Sequence, residues 1–366
     1  MNKALRVSKW AYIAGLVGLL VVGIGLLIVT LALLQRGVAV WNNPCGGKTP
    51  MRESQLTQIA KLAYHIAQQT LPTYAHPKSR HDYTFPERVA CVMLKIYLNY
   101  TYRDLEEWLL ATDQVRQVLQ LTRVPDHTTL YRTFAKLSQA QWQQLNDALL
   151  QHLQVNEMTV AVDTPGFRND TASAYYQSRR GNTRRAWHKS GFVVGTESQL
   201  IVGMRVERGS GSDAKWLAPL RAQARRYVGR TGRSARFWLL ADAGFDGRDV
   251  EWTDVVPPIR RGGRLRAWSR VLRAALVERA KASGLYGQRW KVETVLSVIK
   301  RKFGDGVRSR RLRLARCEVL AKGVVYNLHR SFCVVVDVWC VWWALRGGVG
   351  GWIGYHRNRA ISNRPA

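Results

Sequence analysis

Met158-Thr-Val-Ala-Val-Asp163 and Phe237-Trp-Leu-Leu-Ala-Asp242 are two short apolar runs that each end in a carboxylate. Runs of this length and composition are typical of buried strands. Each aspartate is soon followed by Gly-Phe, at 166–167 and at 244–245. A single Asp after a strand is commonly a turn or helix cap. If the two strands are neighbours, however, the carboxylates converge at one edge of a sheet.

The sequence around these runs predicts a mixed α/β sheet flanked by helices. Residues 192–194 and 200–206 are typical of hairpin strands joined through Gly195-Thr-Glu-Ser198. A helical stretch follows, with Trp216, Leu217 and Leu220 on one face. A hairpin, a helix and a further strand in this order favour a sheet covered by helices.

Upstream of the strands, residues 83–153 have a helical pattern. Thr84 and Glu87 form a Thr-x-x-Glu capping signature, and Thr101 is positioned to cap the next helix. In a helix over residues 127–137, Leu130 would face a core, whereas Thr128, Tyr131 and Arg132 would lie near the exposed first turn. Such a helix could enter a DNA major groove as part of a helix-turn-helix, or it could be a plain packing helix.

Charge indicates a polyanionic partner. The 366-residue chain has 56 Lys and Arg against 25 Asp and Glu, a formal net charge of +31. An excess of this size attracts nucleic acid or an anionic membrane. The 5 cysteines are odd in number and lack short paired spacings, so they predict reduced thiols and argue against a disulfide framework or a zinc site.

The most specific pattern is Tyr286-x2-Arg289-x3-Glu293-x6-Lys300. On one helix these four side chains would fall within roughly a 60° stripe. Their spacings are unlike those of exposed Glu–Lys pairs four residues apart. The alternative is a solvated basic face with an incidental glutamate. Residues 260–316 contain 18 Lys and Arg but three acids, so Glu293 lies in a positive field that favours its ionised form.

Three carboxylates in a basic setting have a joint use. Mg²⁺ prefers hard oxygen ligands. Two such ions roughly 4 Å apart can stabilise both the attacking and the leaving oxygen of a phosphodiester. Asp163, Asp242 and Glu293 are therefore candidate ligands for two Mg²⁺ or Mn²⁺ ions, and the surrounding cations suit a nucleic-acid substrate. Asp213 and His188 could approach this site, but their patterns favour a helix cap and a strand-surface position.

The ordered motifs Asp163-Thr, Asp242-x-Gly244-Phe245 and Tyr286-x2-Arg289-x3-Glu293-x6-Lys300 resemble the signature of bacterial insertion-sequence transposases of the DDE type. The resemblance covers residues 51–330. It implies an RNase H-like catalytic domain behind a helical DNA-binding domain, with Asp163, Asp242 and Glu293 as the metal-binding catalytic triad. It also implies that Tyr286, Arg289 and Lys300 position the transposon-end DNA.

The implied function is that of a DNA transposase, which cleaves element ends and transfers the freed 3′-hydroxyl to target DNA as a homo-oligomer on paired ends. We expect four segments: a hydrophobic segment at 1–50, a helical DNA-binding domain at 51–153, a catalytic domain at 154–330 and a Trp/Val-rich, then basic tail at 331–366. The expected location is the cytoplasm, in association with the nucleoid.

The N-terminal segment leaves alternatives open. Residues 11–34 form 24 uncharged residues, enough to span a bilayer as a helix. They are either a membrane anchor or translated upstream sequence before a start at Met51. The alternative functions are accordingly a catalytically decayed DNA-binding protein and a membrane-anchored one.

Overall fold

The computed structural model describes residues 53–345 except 75, 77, 79–80, 171–178, 180–186, 210, 229–236, 261 and 263–264, with side chains through residue 332. The hydrophobic segment predicted at 11–34 and the tail from residue 346 lie outside this range. Among the described residues, none of the helices combines the length and apolarity needed to cross a membrane. Two cysteines in this range, Cys91 and Cys317, are buried free thiols.

Six helices precede the first strand within the described range: α1 Gln55–Thr70, α2 Phe85–Tyr97, α3 Tyr102–Ala111, α4 Asp113–Val118, α5 His127–Lys136 and α6 Gln139–His152. In all of them except α4, a side chain at the N-cap position accepts a hydrogen bond from a free N–H group of the first turn. Both predicted caps are present, since Thr84 forms a capping box with Glu87 and Thr101 forms one with Asp104. The predicted core position Leu130 is fully buried in α5.

The strands of the described residues form one mixed sheet: β1 Thr159–Asp163, β2 Gly166–Asn169, β3 Trp187–Gly195, β4 Ile201–Arg208, β5 Trp238–Leu240, β6 Asp254–Val255 and β7 Gly306–Val307. The predicted hairpin is β3–β4, which pairs antiparallel. On its other side β3 pairs with β1 and β2. Beyond β1, strands β5 and β6 continue the sheet in parallel. The predicted mixed α/β sheet flanked by helices is confirmed.

The remaining helices cover both faces of this sheet: α7 Ala214–Ala224, α8 Trp268–Ala282, α9 Trp290–Phe303 and α10 Leu312–Leu345. On one face, Val160 and Val162 of β1 belong to the same apolar cluster as Trp216 of α7. On the other face, Ala161 joins a cluster that includes Ile299 of α9. The alternation of side chains along β1 thus gives the sheet two cores.

The helices before β1 share the second of these cores, and the described residues from Glu53 onward fall in one compact unit. A buried amide network joins the layers. Asn327 of α10 donates to the Asn146 side chain of α6 at 2.8 Å and to the Ile201 carbonyl of β4 at 2.9 Å. Its own oxygen accepts from the Ile201 N–H at 2.8 Å. The segments predicted as 51–153 and 154–330 therefore lie side by side around a common core.

One strand position was predicted wrongly. His188 was expected on the strand surface, but it is 2% exposed, and burial lowers the pKa of its imidazole. On β3, His188 lies on the same face as Ser190 and Phe192, which are also buried. Side chains two apart on a strand share a face, so burial of Phe192 carries His188 inward.

Candidate active site

Two aspartates meet at one end of the sheet. Strands β1 and β5 are adjacent and parallel, with Ala161 opposite Leu240. Continuing that register by two residues places Asp163, the last residue of β1, level with Asp242, which lies two residues beyond the end of β5. Each carboxylate also forms a local turn contact: Asp163 Oδ1 accepts from the Thr164 N–H at 2.8 Å, and Asp242 Oδ1 accepts from the Gly244 N–H at 3.0 Å. The aspartates therefore cap turns and also converge.

The signature motif begins in a tighter conformation than predicted. Tyr286–Arg289 forms a 3₁₀ turn, and the α-helix α9 begins only at Trp290. The prediction of one continuous helical stripe from 286 to 300 is therefore wrong at its N-terminal end. The 3₁₀ turn accompanies a long-range contact, in which the Tyr286 hydroxyl donates to the Ala241 carbonyl at 3.2 Å. This contact ties the motif to the strand end that carries Asp242.

Glu293 lies on the first turn of α9 and pairs with Arg289. The Arg289 Nη2 donates to Glu293 Oε1 at 2.7 Å, and the Glu293 side chain is 53% exposed. The two residues are four apart, so the expectation that these spacings do not suit such ion pairs is wrong for this pair. An exposed ion pair of this kind is worth only about 0.2–1 kcal/mol. Glu293 is therefore held loosely.

Electrostatic coupling shows that the three predicted acids share one environment. Burial raises the pKa of Asp163, and the charges of Asp242 and Glu293 raise it further. The hydrogen bond from the Thr164 N–H and the charge of Arg289 act in the opposite direction on this pKa. Like charges at one site disfavour simultaneous ionisation. Such a cluster of mutually repelling carboxylates is typical of a functional site rather than of a fold-stabilising contact.

The tyrosine of the motif shares this environment, and the lysine lies farther along the sheet. Burial raises the pKa of Tyr286, while the charge of Arg289 lowers it and the charge of Asp242 raises it. Lys300 lies on α9 with its ammonium 5.8 Å from the ring centre of Phe167 on β2. The motif thus extends from the end of β5 to β2, across the end of β1.

The sequence favoured a helix cap for Asp213 over an approach to this site, and the structure shows the approach. Asp213 occupies the N-cap position of α7, but its side chain makes no capping hydrogen bond. Instead, the Thr164 hydroxyl donates to Asp213 Oδ1 at 2.6 Å, and Lys189 of β3 forms an ion pair with the same oxygen. A Cβ placed on Gly244 would lie 2.9 Å from Asp213 Oδ2 and 3.1 Å from Asp242 Oδ1. Asp213 is therefore a fourth carboxylate beside the converging aspartates.

The carboxylates have the right chemistry for a hard cation but do not form a closed metal centre. Their oxygens are the donors that Mg²⁺ prefers. Yet in the described part of the chain, no group of three or more His, Cys, Asp or Glu side chains is arranged so that it could hold a metal ion. Two of these carboxylates are instead engaged in ion pairs, Glu293 with Arg289 and Asp213 with Lys189.

A second surface of interest is the first turn of α5. Thr128, Tyr131 and Arg132 are all exposed there, and Tyr131 is 43% exposed. Asp126 caps the helix by accepting from the backbone N–H groups of Thr128 and Thr129. The start of α5 is also tied to α3, because Glu106 accepts from the His127 backbone N–H at 2.9 Å. The three predicted DNA contacts therefore face solvent from a helix with a fixed start.

Comparison with known proteins gives a match to one family model and a similarity to one solved structure. A family model described as a transposase DDE domain matches residues 156–328, which include Asp163, Asp242 and the whole signature motif. No curated protein matches the chain. Among solved structures, the chain is similar to a piggyBac transposase in a synaptic complex with hairpin DNA, determined by cryo-EM. That similarity has 9% sequence identity and a TM-score of 0.40, and it covers 78% of this chain and 74% of the other.

Proposed function

We propose that this protein is a DNA transposase of the insertion-sequence DDE type. The observation that carries the proposal is that Asp163 and Asp242 lie level at the ends of adjacent parallel strands, with the charge of Glu293 acting on Asp163, within the segment that matches a transposase domain. The net charge of +31 supports a polyanionic substrate. The reactions would be hydrolysis of a phosphodiester at an element end and attack of the freed 3′-hydroxyl on target DNA.

In this proposal Asp163, Asp242 and Glu293 hold two Mg²⁺ or Mn²⁺ ions. The ions would supply charge stabilisation at the attacking and leaving oxygens of the displacement. Asp163 and Asp242 are fixed by the ends of adjacent strands, whereas Glu293 is held by one exposed ion pair. Breaking that pair costs little, so Glu293 is available as the third ligand.

The remaining residues of the signature would bind the DNA. Arg289 and Lys300 provide cations for the backbone phosphates, and the Tyr286 ring and hydroxyl lie beside the strand end of β5. Thr128, Tyr131 and Arg132 on the first turn of α5 would contact the duplex as part of a helix-turn-helix. We further propose that the protein acts as a homo-oligomer on paired ends, in the nucleoid-associated cytoplasm.

The test is substitution of the loosely held acid. Glu293→Gln keeps the size and polarity of the side chain but removes the charge that a divalent ion needs. We expect end cleavage with Mg²⁺ or Mn²⁺ to fall by at least about 10³-fold, the scale of losing a charged group that acts in the transition state. Binding of the same duplex should change less than about threefold.

The matched control is Glu278→Gln. Glu278 is an exposed acid of α8 that pairs with Lys281 three residues away. The Glu278→Gln variant loses the same charge as Glu293→Gln and should cleave at the wild-type rate. Undiminished cleavage by Glu293→Gln would overturn the proposed function, as would an equal loss in both variants.

A further inference from the structure

A basic cavity lies beside the exposed face of α5, away from the carboxylate cluster. It has a volume of about 330 Å³ and is lined by residues of α2, α3, α5, the start of α10 and the loop 308–311. We call it the α5 cavity. Its polar wall is dominated by four cations: Lys95, Arg308, Arg310 and Arg311. No sequence motif and no part of the proposed chemistry uses these residues.

The cation at the inner wall lacks a salt-bridge partner. Lys95 of α2 is half-buried, and desolvation lowers the pKa of its ammonium group. The ammonium lies 4.9 Å from the ring centre of Tyr102. It forms no salt bridge with any carboxylate of the described residues. The charge of Glu318 in the same cavity acts in the opposite direction on this pKa, so Lys95 has a counter-charge nearby and the cationic excess of the wall comes from the three arginines.

The one acid of the cavity is already engaged in holding the loop. Glu318 accepts from the backbone N–H groups of Arg308 and Ser309, each at 3.0 Å, and from the Ser309 hydroxyl at 2.6 Å. These bonds use both carboxylate oxygens and fix the start of the loop. The loop is therefore preorganised while its arginines stay exposed.

The three arginines of the loop are available to an outside partner. The side chains of Arg308, Arg310 and Arg311 form no salt bridge with described carboxylates. A guanidinium can donate two parallel hydrogen bonds to one phosphate. Three of them on one fixed loop, with a lysine behind them, match the repeating phosphates of a nucleic-acid backbone better than a single small anion.

The position of the cavity links it to the duplex. Tyr131, a proposed DNA contact, lines the cavity and packs edge-on against Tyr102 with ring centres 5.9 Å apart. A helix that enters a major groove has the backbone phosphates on either side of it. We propose that the α5 cavity and the loop 308–311 bind backbone phosphates of the same duplex that α5 contacts. This inference rests on DNA being the substrate, as in the proposed function.

The test is the double variant Arg310→Gln/Arg311→Gln, measured for binding to a duplex carrying the element end. Each lost phosphate contact lowers the slope of log affinity against log salt by about 0.9. Two contacts should lower it by about 2, so the loss of affinity between 50 and 200 mM salt becomes about tenfold smaller than in the wild type. Ethylation of individual phosphates should reveal positions that block the wild-type protein but not the variant.

Two further double variants make the result specific. Lys61→Gln/Arg226→Gln removes the same charge from exposed ion pairs with Glu53 and Asp147, far along the chain from the cavity. It should keep the wild-type slope. Arg310→Lys/Arg311→Lys keeps the charge and should also keep most of the slope, with affinity reduced by the loss of paired hydrogen bonds.

The outcomes separate this inference from the proposed function because binding is measured without divalent metal. If Arg310→Gln/Arg311→Gln binds with the wild-type slope and ethylation pattern, the inference is overturned even though cleavage persists. If binding weakens as expected but the wild type does not cleave element ends, the inference stands and the proposed function falls. A wild-type chain that binds no duplex overturns both.

Discussion

Replacing Gly244 with alanine tests the carboxylate arrangement directly. The added Cβ would lie 2.9 Å from Asp213 Oδ2 and 3.1 Å from Asp242 Oδ1. Gly244 does not have a positive φ, so alanine fits its backbone conformation. The effect of Gly244→Ala is therefore steric and falls on these two oxygens.

Neither carboxylate can move away without losing a contact. Asp213 is held by the Thr164 hydroxyl and by Lys189, and Asp242 accepts from the N–H of Gly244 itself. Because carbon and oxygen atoms in contact prefer about 3.5 Å or more, the oxygens must shift by several tenths of an ångström. Weakening one of these hydrogen bonds costs about 1 kcal/mol of folding free energy. A misplacement approaching 1 Å at a reacting centre can reduce a rate about 10²-fold.

We therefore expect Gly244→Ala to lower single-turnover cleavage of an end-containing duplex about tenfold, with duplex binding unchanged and unfolding free energy lowered by about 1 kcal/mol. Gly287→Ala is the control, because a Cβ there meets no atom within 4 Å and that glycine lies in the signature motif. Wild-type cleavage by Gly244→Ala would refute the reasoning, because it would mean that the carboxylates need not occupy these positions.

Two further predictions concern charges inside the fold. Arg221→Met should lower the unfolding free energy by about 3–5 kcal/mol in urea titrations, because it leaves Asp254, which is 0% exposed, without its cation. The double variant Arg221→Met/Asp254→Leu should recover most of this free energy. A loss below about 1 kcal/mol in Arg221→Met would contradict the argument. Asp163→Asn should raise the melting temperature in EDTA at pH 7.5 by about 2–4 °C while abolishing cleavage. Burial and the charges of Asp242 and Glu293 raise the pKa of Asp163 above its unfolded value of 3.8, so its ionised form destabilises the fold as the pH rises. The stabilisation should vanish near pH 4, and a lower melting temperature at pH 7.5 would contradict the sign.

What the sequence predicts well is local. The strands that lead into Asp163 and Asp242, and the caps at Thr84 and Thr101, depend on residues a few positions apart. The convergence of the aspartates follows once the strands pair in parallel. These features are visible in the sequence because the alternation of strand side chains and the capping spacings are fixed by backbone geometry.

What the sequence does not predict depends on distant partners. Asp213 contacts Thr164 across 49 residues, and an Asp before a helix has the same local pattern whether or not it caps that helix. The 3₁₀ turn at Tyr286 accompanies a hydrogen bond to Ala241, 45 residues earlier. His188 is a different case. The sequence places it on the same strand face as Phe192, which predicts burial, but the polarity of histidine favoured a surface position.

The shared core has a consequence for how the proposed DNA contacts relate to the proposed catalytic ones. The hydrogen-bond network of Asn146, Asn327 and Ile201 is fully buried, and breaking it would leave amide groups without hydrogen-bond partners and out of reach of water. It fixes α6 and α10 against β4, and α10 follows directly on the loop 308–311 that lines the α5 cavity. A hinge between the helical layer and the sheet would require opening this network. If α5 and that loop hold the duplex as proposed, they would present it to Asp163 and Asp242 from a fixed direction, and the placement of the cleaved phosphate would be set by packing rather than by a movement of domains.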